Sequence, residues 1–216
     1  MRNRFDQQLA QLNKKMIEMG ALCENIIALS AKALLDGNSD TLSRVESIGH
    51  DIDHMEREIE SICLKLLLQQ QPVARDLRQI SAALKMITDM ERIGDQAEDI
   101  ADIIPYLNGR TGEECQDIRI MAETTIRMVT DCVDAYVGRD LALAQAVSAH
   151  DDIVDDCFDR VKKSLIAMIS ENAADGEYAI DLLMIAKYFE RIGDHAVNIG
   201  EWVEFSVTGT HKGEFI

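Results

Sequence analysis

The pentapeptide Glu-Arg-Ile-Gly-Asp occurs twice in this chain, as Glu91–Asp95 and again as Glu190–Asp194. Around it, Met90–Asp102 and Phe189–Glu201 align without gaps at an offset of 99 residues, and seven of the thirteen aligned positions are identical. A period of about half the chain indicates internal duplication. Each copy carries two acids four residues apart with a glycine between them, which core packing does not require. The repeated element is therefore the candidate functional segment.

The acids of each copy share one face of a helix. An α-helix turns by about 100° per residue. On such a helix, five carboxylates of the first copy lie within an arc of about 100° on the side opposite the apolar stripe: Glu91, Asp95, Glu98, Asp99 and Asp102. The second copy places in the same arc Glu190, Asp194, Asn198 and Glu201. Like charges four residues apart destabilise a helix by about 0.2–0.5 kcal/mol per pair. Mid-helix Gly94 and Gly193 each cost about 1 kcal/mol relative to alanine, which indicates a need for close approach.

The middle helix of each half has a second polar face. In the second half it carries Asp152, Asp155, Asp156 and Asp159, and in the first half Glu46, His50, Asp53 and His54. Aligning Asp53 with Asp155 makes His50 the counterpart of Asp152. Two carboxylate-rich faces on adjoining helices are typical of a cation site with oxygen ligands. The alternative is that both are only the solvated faces of amphipathic helices.

We predict one metal site in each half. The first would use Glu91, Asp95 and Asp53, with His50 as an additional candidate, and the second would use Glu190, Asp194, Asp152 and Asp155. Carboxylates with at most one imidazole suit a divalent or trivalent ion such as Fe, Zn, Mn or Mg, among which geometry would choose.

The rest of the chain predicts an all-α fold of six long helices that form two tandem three-helix bundles. Apolar periodicity and turn residues place the helices at about 5–35, 40–70, 72–104, 113–137, 140–172 and 175–205. Pro72 would begin the third helix, and Gly138-Arg139-Asp140 would stop the fourth and cap the fifth. The loop Asn108–Gly112 divides the chain into 1–109 and 110–216. The tail from residue 208 to 216 is expected to be ragged.

Charge and composition exclude several classes of function. The net charge of −17 argues against binding to nucleic acid or to an anionic membrane surface. Five cysteines, odd in number and without a C-x-x-C pair, indicate reduced, mostly buried thiols of a cytosolic protein. No apolar stretch reaches the ~18 residues typical of a membrane span, so we expect a soluble, cytoplasmic chain that is not inserted in a membrane. The sequence has no nucleophile–base arrangement or phosphate loop, and we expect no enzyme activity.

Two smaller features leave alternatives open. Arg75 and Arg78, at the start of the third helix, could hold phosphate, although surface salt bridges are favoured. The aligned positions of the second half hold Ala174 and Glu177, so any such role is not duplicated. His195 is expected to be a surface histidine, with a supporting role beside the metal as the alternative.

The segments Asp89–Ala101 and Tyr188–Gly200, in two three-helix repeats, resemble the PhoU family. So do Gln71–Arg78 and the opening residues Phe5, Asp6, Leu9, Met19 and Gly20. The resemblance implies a cytoplasmic negative regulator of phosphate uptake with metal clusters on the motif-bearing helix faces. It also implies two partners, the ATPase subunit of a Pst-type ABC transporter and a phosphate-sensing histidine kinase; a homodimer is expected as well.

The two halves differ within the motif, which predicts unequal sites. His50 stands where the second half has Asp152, and Asp99 stands where it has Asn198. Two other classes of protein remain open. A ferritin-like di-metal oxidoreductase also holds carboxylates in a bundle, but with Glu-x-x-His pairs that project inward. A metal-free helical scaffold would have the same helices.

Overall fold

The computed structural model describes residues 2–36, 41–69, 73–111 and 116–215. Its six long helices are α1 (Arg2–Asp36), α2 (Leu42–Gln69), α3 (Ala74–Ile103), α4 (Gln116–Gly138), α5 (Leu141–Glu171) and α6 (Gly176–Thr208). Short 3₁₀ turns follow α3 at Ile104–Leu107 and precede α6 at Ala173–Asp175. The all-α class and the two tandem three-helix bundles are confirmed. The turn predicted after the first helix, Pro72 and Gly112 lie outside the described residues.

The two bundles meet through corresponding helices. Within the first bundle α1, α2 and α3 pack together, and within the second α4, α5 and α6 do. Between the bundles α1 packs on α4, and α3 packs on α6 in the most extensive helix pair of the fold. Contacts between matching elements are typical of a two-fold relation. As a result α2 and α5 lie on the outside, each beside the motif-bearing helix of its own half.

The apolar stripes opposite the acids form the core. On α3 the fully buried residues include Met86, Met90, Ile93, Ala97 and Ile100, and on α6 they include Ile185, Phe189, Ile192, Ala196 and Ile199. Burial of one large apolar side chain stabilises a fold by about 1.5–3 kcal/mol, so these stripes fix the rotation of both helices. At the α1–α4 contact, a Cβ on Gly20 would lie 2.8 Å from a Val133 methyl group. Only glycine allows that approach.

The cysteines of the described residues are free and buried, at positions 23, 63, 132 and 157. Cys23 donates to the Met90 carbonyl at 3.4 Å and Cys132 donates to the Ala196 carbonyl at 3.1 Å. Burial raises the pKa of Cys23 to about 12. These thiols therefore serve packing and are not poised for reaction. The fifth cysteine, Cys115, lies outside the described residues.

The turn between α4 and α5 follows the prediction. The Asp140 N–H donates to the Ala135 carbonyl at 2.9 Å and the Arg139 N–H to the Tyr136 carbonyl at 3.4 Å, which is the Schellman pattern at a helix end. Asp140 then caps α5 by accepting from the Leu143 N–H at 3.1 Å. The left-handed residue of the motif is Arg139, with φ 56°, where glycine or asparagine is usual.

The chain from Thr210 onward was expected to be ragged, and this prediction was wrong. Strands β1 (Thr210–His211) and β2 (Glu214–Phe215) pair antiparallel. Lys212 and Gly213 between them both have positive φ, as a two-residue type I′ hairpin requires. The His211 ring stacks on Trp202 of α6 at a centroid distance of 3.9 Å, which holds the hairpin against the second bundle. No helix of the described residues is long and apolar enough to cross a membrane.

Candidate functional site

In the first half, acids of α2 and α3 face one another along the groove between these helices. Burial raises the pKa of Glu91, and the carboxylates of Asp95, Glu56 and Asp53 raise it further. Burial and Asp53 likewise raise the pKa of Asp95. The structure thus brings Glu91, Asp95 and Asp53 into one electrostatic cluster and adds Glu56, which sequence reasoning missed. Glu56 follows Asp53 by three residues, a helical spacing that could have revealed it.

His50 lies further along the same groove. It lines a cleft of about 530 Å³ together with Glu46, Glu98 and Asp102. Burial raises the pKa of Glu98 and the nearby Asp95 raises it further, whereas His50 lowers it. His50 is therefore an immediate neighbour of Glu98, a residue of the acidic arc that was not among the predicted ligands.

In the second half, Asp151 lies at the centre of the cluster. Burial raises the pKa of Asp151 to about 6, and the carboxylates of Asp155, Asp194 and Glu190 contribute in that order. Burial and then Glu190 raise the pKa of Asp155. The predicted Asp152 is exposed. Sequence reasoning missed Asp151, although Asp151 and Asp155 repeat the four-residue spacing of the duplicated motif.

The mid-helix glycines allow the predicted close approach of the middle helices. A Cβ on Gly94 would lie 3.1 Å from the Ile52 Cδ1 atom, and a Cβ on Gly193 would lie 3.6 Å from a Val154 methyl group. When Asp53 is aligned with Asp155, the residue equivalent to Ile52 is Val154. Each motif glycine therefore faces the middle helix of its own half, with a tight contact at Gly94 and an ordinary van der Waals contact to Val154 at Gly193.

One carboxylate in each half fills the space beside a glycine, but the two come from opposite helices. In the second half the Asp151 carboxylate of α5 lies 2.8 Å from a Cβ placed on Gly193 of α6. In the first half the position equivalent to Asp151 is Gly49. The Glu98 carboxylate of α3 fills the space that a side chain at position 49 would occupy. Glu98 in turn aligns with Val197. Each half therefore has an acid between its middle helix and its motif-bearing helix. The middle helix α5 carries it in the second half, and the motif-bearing helix α3 carries it in the first.

Among the described residues, a lysine pairs with the motif in the second cluster but not in the first. The Lys187 ammonium contacts both oxygens of Glu190 at 2.5 Å, and Glu190 is the more buried partner. The equivalent residue of the first half is Thr88. Glu190 therefore forms an ion pair with a lysine, whereas the cation that acts on Glu91 is Arg92, and the two clusters differ in charge as well as in ligand types.

His195 is not the surface histidine that was expected. Its side chain is 12% exposed and its Nδ1 atom lies 2.9 Å from the Asp89 carboxylate. The Asn198 amide donates to the same Asp89 oxygen at 3.4 Å. Packing of α6 on α3 buries the edge of α6 that carries His195. The sequence prediction considered the faces of α6 alone and therefore could not include the contact with α3. His195 therefore connects the two halves through Asp89.

As the side chains stand, no group of three or more carboxylates, imidazoles or thiols in the described part of the chain is arranged to hold a metal ion. The acids form two extended clusters instead. Burial and, after it, neighbouring carboxylates raise the pKa values of Glu91, Asp95, Asp151 and Asp155, so like charges are close together in both clusters. Such a surface can take up cations or meet a basic partner.

Comparison with known proteins agrees with the repeat. The family model described as PhoU domain matches the chain twice, at residues 16–104 and 118–203. A relative from Clostridium acetobutylicum is 35% identical over 95% of this chain and 94% of its own length. Another from Synechocystis sp. is 33% identical over 98% of this chain and 94% of its own length. Both are named phosphate-specific transport system accessory protein PhoU homolog.

Solved structures show the same fold. The crystal structure of PhoU from Pseudomonas aeruginosa superposes with a TM-score of 0.90 at 31% identity, covering 95% of this chain and all of that one. The phosphate transport system regulatory protein PhoU from Streptococcus pneumoniae superposes with a TM-score of 0.88 at 23% identity, covering 98% and 99%. With a duplicated motif, a family match to both halves and relatives that align over nearly the whole chain, the protein belongs to the PhoU domain family.

Proposed function

We propose that this protein is an accessory regulator of phosphate uptake that acts through contacts with other proteins. The observation that carries the proposal is the match of both halves to the PhoU domain, with relatives named as accessory proteins of the phosphate-specific transport system. By the same reasoning the partners are the ATPase subunit of a phosphate ABC transporter and a phosphate-sensing histidine kinase. The protein acts as a cytoplasmic homodimer that represses uptake and starvation signalling when phosphate is plentiful.

We further propose that the two acidic clusters bind metal ions. Support comes from the donor set: carboxylates of two adjoining helices face one another in each half, and one of them lies beside a glycine. Burial and the neighbouring carboxylates raise the pKa values of Glu91 and Asp151. The ligands of the first site are Glu91, Asp95, Asp53 and His50, to which Glu98 and Glu56 are added. Those of the second are Glu190, Asp194, Asp152 and Asp155, to which Asp151 is added.

Binding would require the carboxylates to change rotamer. Asp95, Asp155 and Asp194 are exposed, so their side chains can turn without disturbing the core. In the second half Glu190 must also leave Lys187. A bound cation would supply positive charge that offsets the repulsion among these acids, and the residues would hold it on the faces formed by α2–α3 and α5–α6.

The place of the clusters in the fold supports a role in regulation. They lie between α2 and α3 in the first half and between α5 and α6 in the second, and α2 and α5 are on the outside of the fold. The surface charge of each acidic cluster is less negative when a metal ion is bound than when it is not. Metal loading therefore sets the charge of the surface that the transporter and kinase contact, and each half contributes one such surface.

The regulatory role is tested by deleting the gene. Phosphate-starvation genes should then be expressed in phosphate-rich medium, and the wild-type protein should co-purify with the transporter ATPase subunit and with the kinase. Continued repression in the deletion strain, together with failure of both partners to co-purify, would refute the role.

A metal-free helical scaffold is the second candidate, because no preformed metal-binding group is present among the described residues. Elemental analysis of protein purified without chelators separates the two. A stoichiometric metal that falls by about one site's worth in Glu91→Ala/Asp95→Ala, and likewise in Glu190→Ala/Asp194→Ala, supports the metal-dependent regulator. No bound metal in the wild-type protein supports the scaffold.

A further inference from the structure

Three arginines lie together at the end of the molecule where the start of α3, the α4–α5 turn and the end of α6 meet. Arg75 and Arg78 come from the first turns of α3, and Arg139 is the left-handed residue of the turn. Arg139 Nη2 donates to the Ser206 carbonyl of α6 at 3.3 Å. Arg78 packs on the last residues of the same helix, with its Cδ atom 3.5 Å from a Cβ placed on Gly209. We name these three residues the arginine cluster.

Two nitrogen atoms of the cluster are buried without a hydrogen-bond partner. They are Nε of Arg78 and Nη1 of Arg139. The surface salt bridges expected for Arg75 and Arg78 are also missing, since within the described ranges neither pairs with a carboxylate. A buried guanidinium N–H without an acceptor is destabilising, so the cluster is incomplete in the isolated chain.

The arginines also repel one another. Burial lowers the pKa of Arg139, and the charges of Arg75 and Arg78 lower it further, whereas Asp76 acts in the opposite direction. Three guanidinium groups outnumber the neighbouring carboxylates of Asp76 and Asp140, in a chain whose net charge is −17. A bound anion would reduce this repulsion.

Capping of α6 explains only part of the arrangement. Positive side chains favour the carbonyl end of a helix, and the bond from Arg139 to Ser206 is of that kind. It leaves Arg78 Nε and Arg139 Nη1 without acceptors. The left-handed backbone of Arg139 belongs to the Schellman motif at the end of α4 and places its side chain beside the end of α6.

We propose that the arginine cluster binds a phosphate-type oxyanion. Planar guanidinium groups offer paired N–H donors that match phosphate oxygens, and a tetrahedral oxyanion would offset the mutual repulsion of the three arginines. Because the two unpartnered nitrogens are buried, the side chains of Arg78 and Arg139 would turn towards solvent to donate to it. The site uses residues of both halves and is independent of the acidic clusters and of the proposed regulatory function. Inorganic phosphate and the headgroup of an anionic phospholipid offer the same chemistry, so the experiment distinguishes them.

The key variant is Arg139→Gly. Glycine adopts a left-handed backbone without strain, so this change removes the guanidinium while favouring the observed turn. Calorimetric titration of the full chain with inorganic phosphate, at constant ionic strength, should show binding that weakens at least tenfold in Arg139→Gly and in Arg78→Ala. Arg119→Ala, which removes an exposed arginine elsewhere on the surface, should bind like the wild type.

A parallel flotation assay uses vesicles that contain phosphatidylglycerol. Binding of free phosphate without flotation identifies the soluble anion, and flotation that is lost in Arg139→Gly identifies the lipid headgroup; either supports the site. The proposal is overturned if neither probe binds the wild-type chain, or if Arg139→Gly, folded by circular dichroism, binds both probes as tightly as the wild type.

Discussion

Replacing Asp151 by asparagine should stabilise the metal-free protein at neutral pH. Asp151 lies on α5 with its carboxylate beside Gly193 of α6, and the carboxylates that raise its pKa most are those of Asp155, Asp194 and Glu190. Asparagine keeps the size of the side chain and removes the charge. The variant therefore isolates the electrostatic cost of this one acid.

The size of the effect follows from the pKa of Asp151. That pKa rises from an ordinary 3.8 to about 6 in the folded chain, and each pH unit corresponds to about 1.4 kcal/mol, which gives an upper bound of about 3 kcal/mol. Solvent screening of this half-buried group lowers the expected gain to about 2 kcal/mol. Because the folded pKa lies above the unfolded one, the contribution of Asp151 to stability is fully present below pH 3.8 and is lost as the pH rises to about 6.

Urea unfolding in the presence of EDTA, followed by circular dichroism over this pH range, measures the effect. Wild type and Asp151→Asn should be about equally stable at the acidic end, diverge as the pH rises, and keep a constant difference above pH 6. Asp156→Asn, an exposed aspartate of the same helix, is the matched control and should show little divergence. The change in the free energy of unfolding with urea concentration (the m-value) should be the same in both proteins, because unfolding exposes the same surface area.

Two results would contradict this reasoning. One is an Asp151→Asn variant that is less stable than the wild type at neutral pH without metal. The other is a stability difference that does not vary with pH. If the cluster binds metal, adding Mn²⁺ should reverse the order, because the wild type then gains more binding free energy than a variant that lacks a ligand.

Three further predictions concern the two sites and the contact between the bundles. The Glu91→Ala/Asp95→Ala variant should lose about one site's worth of bound metal by elemental analysis while keeping its helical circular dichroism; unchanged metal content contradicts the assignment. Lys187→Thr, which installs the residue of the first half, should tighten Mn²⁺ binding to the second site in a calorimetric titration, and weaker or equal binding counts against competition by the lysine. Gly20→Ala should lower the free energy of unfolding in urea by about 1–3 kcal/mol because of overpacking. Gly138→Ala is the control, because Gly138 has open space around it, and it should leave the free energy of unfolding nearly unchanged. Equal effects of the two substitutions would exclude a close helix contact as the cause.

The helix faces could be predicted from the sequence because burial follows a helical period. The apolar stripe of α3 and the mid-helix glycines were found in this way, and the structure confirms them. Asp151 was missed because its burial depends on Gly193 of another helix, and a projection of α5 alone does not contain that neighbour. The same limit applies to His195, which α3 covers.

The arginine cluster shows why distant parts of a chain are harder to predict. Arg75 and Arg139 are separated by more than one helix in sequence and approach each other only because both lie near the end of α6. The hairpin after α6 was missed for a different reason. Its turn depends on Lys212 having a positive φ next to Gly213, and lysine gives no signal for that conformation.

The exchange of Gly49 and Glu98 for Asp151 and Val197 restricts how the two repeats can diverge or be recombined. Introducing aspartate at position 49 alone would place a second carboxylate in the space that Glu98 already fills, which is unfavourable. Introducing valine at position 98 first removes that carboxylate and opens the space for a side chain at position 49. The effect of aspartate at position 49 therefore depends on residue 98, so shuffled or consensus versions of the repeat should transfer both residues of the pair together.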